Sequence, residues 1–179
     1  MADAVSSDQD SRMVTALFSD SERVEQAYQA VVDRGYGMDD VNVVMSDETR
    51  RQYFAEDRDV NTDLARKTAE GGELGGPTGG RISLAIPIIA AVGAAVAIPG
   101  LGLVMAGPIA VALAGAGAAG IAAGLIGALA DWGVPEERVR HYETGIAEGG
   151  IFLSVKARPD DAHLIEQEWK ALGGQHVYA

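Results

Sequence analysis

No cysteine occurs among the 179 residues, which excludes disulfides, thiol nucleophiles and any metal site built on thiolate ligands. Cationic residues are scarce: fourteen Lys and Arg stand against twenty-six Asp and Glu, a formal net charge of −12. Phosphate backbones are held by clustered Lys and Arg that release counterions, so no nucleic-acid partner is expected. Non-specific attraction to an anionic lipid surface is disfavoured for the same reason. The opening MADAVSSDQD lacks the basic and apolar regions of a secretory signal. The expected location is therefore the cytoplasm or the inner face of the cytoplasmic membrane.

The longest absence is of charge itself. From Ile82 to Ala130 forty-nine residues pass without a charged or aromatic side chain, and Ser83 is the only polar one. The segment holds seventeen Ala, nine Gly and three Pro, with Leu, Ile, Val and Met105 as its apolar bulk. It must be buried in lipid, in other copies of itself, or beneath the rest of the fold, and the rest is small and polar. Pro99, Gly100 and Gly102 divide it, predicting an apolar helical hairpin of Ile82–Ile98 and Pro108–Ala130. Those helices would be roughly 25 and 35 Å long against about 30 Å of bilayer hydrocarbon. Pro87 weakens the first, whereas Pro108 suits the opening turn of the second.

Within the second helix Ala112, Ala116, Gly120, Gly124 and Ala128 recur every four residues and predict a stripe of small side chains, a glycine zipper widened by Gly117 and Gly127. Gly93 and Ala94, with Ala90 and Ala97, supply a matching face on the first helix. Small faces let helix backbones approach closely, so these positions are the candidate helix-packing and oligomerisation residues. Trp132, just beyond the block, is the candidate interfacial anchor.

The flanks read as α+β. Residues 1–11 are small, polar and acidic and predict a disordered start. Met13–Phe18 predicts a strand, Ser19, Asp20 and Ser21 offer N-cap oxygens to a helix ending before Gly35, and Val41–Met45 predicts a second strand, making 12–46 one βαβ half. Residues 47–81 comprise a charged stretch and the linker GGELGGPTGG. After the block, 131–179 predicts a helix opened by Val134, Pro135, Glu136 and Glu137, a strand over Ile151–Ala157, a helix over Asp160–Leu172 and a last strand over Gln175–Tyr178. Two βαβ halves fold most simply into a ferredoxin-like four-stranded sheet with helices on one face, interrupted by the apolar α-helical hairpin.

No catalytic constellation accompanies this pattern. His141, Tyr142 and Glu143 are helix neighbours pointing about 100° apart, and His163 and His176 have no partner at metal-ligand spacing. The glycines at 71–80 lack the Lys and Ser or Thr of a phosphate loop, and Glu56, Asp57, Asp59 and Asp63 lack the glycine and closing Glu of a calcium loop. No catalytic residue, cofactor or metal is expected. Tyr142 and Trp169 read as packing anchors.

The stretch MVTALFSDSERVEQAYQAVVDRGYGMDDVNVVM (Met13–Met45) resembles the βαβ module of bacterial general stress proteins of the heat-induced type. GVPEERVRHYETGIAEGGIFLSV (Gly133–Val155), following a Gly/Ala-rich hairpin, is similar to the second half of related stress-associated proteins. The resemblance covers about three quarters of the chain and implies a stress-linked role without a defined reaction or site residue. The expectation is a non-enzymatic protein that self-assembles and associates with a lipid bilayer through its hairpin. The alternative is a soluble homo-oligomeric ring, shell or filament that buries the hairpins in a shared core. A small-molecule sensor on the open sheet face is a third reading.

Overall fold

The computed structural model describes residues 11–37, 39–54, 96–98, 102–115, 124–127, 129–131 and 133–179. The chain is α+β. Strand β1 (Arg12–Phe18) leads to helix α1 (Ser21–Asp33), strand β2 (Val41–Ser46) and helix α2 (Asp47–Phe54); β3 (Val96–Ile98), β4 (Leu103–Ala106) and helix α3 (Pro108–Gly115) follow. Helix α4 (Glu136–Ala147), β5 (Ile151–Ala157), α5 (Pro159–Ala171) and β6 (Gln175–Tyr178) complete the order. Residues 124–127 and 129–130 are also helical.

Local chemistry sets the helix ends. The Asp20 carboxylate accepts the Glu22 N–H at 2.8 Å, satisfying one of the orphan donors of α1. At the other end Gly35 takes φ 91°, and its N–H returns to the Val32 carbonyl. Ser46 Oγ accepts the Thr49 N–H at 3.0 Å and starts α2, whose Asp47 is bridged by Arg50 and Arg51. The predicted strand and helices of the two flanks lie where their periodicity placed them.

The sheet has six strands in the order β3-β4-β2-β5-β1-β6, with every neighbouring pair antiparallel. Two expectations are corrected here. A four-stranded sheet was expected, but β3 and β4 extend it, and they arise inside the apolar block, where a helix through Ile98 was predicted. Helices were expected on one face, yet both faces are covered. The reason for the first difference is pairing. β4 lies along the outer edge of β2, with Val43 opposite Ala106 and Ser46 opposite Leu103, so its backbone groups are satisfied by the sheet. Its two faces are both buried, Val104 and Ala106 on one side and Met105 on the other. A short strand buried on both faces reads as a continuous apolar run, which periodicity alone does not separate from helix.

The first core lies between the sheet and α1 with α5. Val14, Ala16, Phe18, Val41, Val43 and Leu153 face Val24, Tyr28, Val31, Ile165 and Trp169 there. Trp169 is fully buried, meets Phe18 edge-on at 6.2 Å, and gives its indole N–H to the Ala27 carbonyl at 3.1 Å. The second core lies on the opposite face, where Leu17, Val44, Met105 and Phe152 meet α3, α4 and the side chains of Leu125, Ile126 and Leu129. Gly145 brings α4 close to the sheet, since a Cβ there would stand 2.0 Å from Leu17 Cδ2. The packing roles expected of Tyr142 and Trp169 are observed, as both are fully buried.

Several expectations lie outside the described residues: the disordered start over residues 1–10, the remainder of the charged stretch and its linker (55–81), and the helix over 82–95.

Candidate functional site

The second face of the sheet carries what the sequence marked as unusual. The strand registers align Asn42, Ser154 and Thr15 in one row across β2, β5 and β1. All three are buried, on the side of the sheet that faces α3 and α4. A buried polar row is tolerated only where its hydrogen bonds are made. Asn42 Nδ2 donates to Ser154 Oγ at 3.1 Å, and Asn42 Oδ1 accepts the Ile109 N–H at 2.8 Å. Thr15 Oγ1 and the Tyr142 hydroxyl are 2.7 Å apart, and that hydroxyl donates to the His176 carbonyl at 2.7 Å, which leaves Thr15 as the donor between them. Burial pushes the Tyr142 phenol above its ordinary range. The polar row thus ties α3, α4 and β6 to the sheet.

Over this row lies the described part of the uncharged block. Val104, Met105, Ala106, Ile109, Ala110, Leu113, Leu125 and Leu129 are all buried within the chain's own fold. Helix α3 is apolar on every side (PIAVALAG). Its inner face, Ile109, Ala110 and Leu113, meets the second core, while Val111 remains 73% exposed and Ala112 is exposed beside it. An amphipathic helix would carry polar residues there.

Of the candidate packing residues, Ala112 is exposed, and Gly124 and Gly127 are half-buried. Gly124 takes φ 62° within the helical residues 124–127, and the stripe positions on either side of it lie outside the described residues. Gly93, Ala94, Ala116, Gly117, Gly120, Ala128 and the anchor Trp132 lie outside the described residues. Among the described residues, no helix is long and apolar enough to cross a membrane.

One cleft, of about 280 Å³, opens where the sheet end meets α3, lined by Ser11, Met13, Asp39, Asp40, Asn42, Pro108 and Lys156. Its polar groups are largely engaged in the fold: Asp40 accepts the Gly37 N–H, and both polar atoms of Asn42 are satisfied. Among the described residues, no group of three or more His, Asp and Glu is arranged to hold a metal ion. The sheet face proposed for a small-molecule sensor is roofed by α3 and α4 rather than open.

The histidines are arranged in a way that spacing did not reveal. His141 and His176 stack with ring centroids 5.0 Å apart and planes within 4°. No sequence signal could have joined them, because the contact depends on α4 lying across β6. His163 faces Glu166 and Gln167 on its own helix. No family model, no curated protein and no solved structure matches the chain.

Proposed function

We propose that this is a non-enzymatic, self-associating protein of the stress-linked kind that its Met13–Met45 and Gly133–Val155 stretches resemble. The observation that carries the reading is the outer face of α3. Val111 is 73% exposed on a helix without a polar residue, inside a forty-nine-residue run without charge. Burying one such valine is worth about 1.5 to 3 kcal/mol, and a stable interface covers roughly 800 Å² per partner. A single valine falls far short of that area. The uncharged run is rich in Ala and Gly, a composition that suits close packing against an identical segment.

A second copy is the favoured occupant over a lipid surface because of charge and because of what is already covered. The net charge of −12 opposes attachment to anionic headgroups. The buried residues of β4, α3 and positions 125 and 129 are covered by the chain's own sheet rather than needing lipid. Under this reading the protein works in the cytoplasm or at the inner face of its membrane. Its core is read as a ferredoxin-like unit, β2-β5-β1-β6 with α1 and α5 across one face, extended by β3 and β4 and roofed by the apolar segment. The strand order and antiparallel pairing support that reading.

The test is particle size by sedimentation velocity across protein concentration, for wild type and Val111→Lys, followed by flotation with zwitterionic liposomes. Val111 is exposed, so Val111→Lys keeps the fold and the melting temperature. Self-association predicts multimers in the wild type and a shift toward monomer in the variant. A wild type that is monomeric at every concentration rejects the reading. Flotation of such a monomer with liposomes would assign the surface to lipid instead.

A further inference from the structure

We draw no further inference here: the strongest candidate, the cleft lined by Asp39, Asp40, Asn42 and Lys156 where the sheet end meets α3, rests on an acidic cluster alone, since both polar atoms of the buried Asn42 are already hydrogen-bonded within the fold.

Discussion

Asn42 Oδ1 accepts the Ile109 N–H at 2.8 Å, so a side chain from within β2 caps the first turn of α3. The same amide donates to Ser154 on β5. Asn42→Ala removes both bonds and leaves the Ile109 N–H and Ser154 Oγ buried without these partners. The expected loss is about 2 to 4 kcal/mol, read as a lower urea midpoint at unchanged slope. A change below about 0.5 kcal/mol would mean that α3 is held by apolar packing alone.

Gly107, immediately before α3, has φ 92°, and a Cβ there would stand 2.1 Å from the Val41 carbonyl oxygen. Gly35 has φ 91° with nothing within 4 Å of its Cβ position. The two sites share backbone conformation and differ only in crowding. Gly35→Ala should therefore cost about 1 kcal/mol and Gly107→Ala about 3 kcal/mol or more, because the obstacle is backbone. Equal losses in thermal unfolding would show that conformation dominates and that the α3 entry can shift.

The Tyr142 hydroxyl links Thr15 to the His176 carbonyl. Tyr142→Phe should cost about 1 to 3 kcal/mol by removing the partner of the buried Thr15 hydroxyl and of the part-buried His176 carbonyl. Thr15→Val in addition should cost less than the sum of the single changes, by about 1 kcal/mol, since the partner it would strand is already gone. Strict additivity in the double-mutant cycle would show that the two groups do not interact in solution.

Tyr36 donates its hydroxyl to Asp161 at 2.6 Å, and Arg158 binds the same carboxylate oxygen. These bonds, the tyrosine's first, hold the Asp161 carboxyl below its ordinary range. A depressed folded-state pKa contributes stability that is present above the unfolded value of about 3.9 and is lost as pH falls through the folded one. Tyr36→Phe should raise the Asp161 titration midpoint, measured by carboxyl-carbon NMR, and reduce the part of acid destabilisation that this residue carries. An unmoved midpoint would assign the depression to Arg158.

Much of the flanking structure was legible in sequence because its signals are local. Asp20 before α1, Gly35 after it, the acids opening α4 and the alternation of Ile151–Ala157 each act within one turn or one strand. The uncharged block was legible only as surface that must be buried. Whether Leu103–Ala106 becomes strand or helix rests on the free edge of β2, which lies more than fifty residues earlier in the chain.

What the sequence determined by itself is the α+β class, the ends of the flanking helices and strands, and the presence of a long apolar segment requiring cover, since capping, periodicity and charge are encoded residue by residue. Tertiary structure alone decided which face each helix covers, the addition of β3 and β4, the polar row from Asn42 to Thr15, and the meeting of His141 with His176. Those depend on pairing between elements far apart in the chain, where the free energy comes from burial and hydrogen bonds that exist only once the sheet has formed.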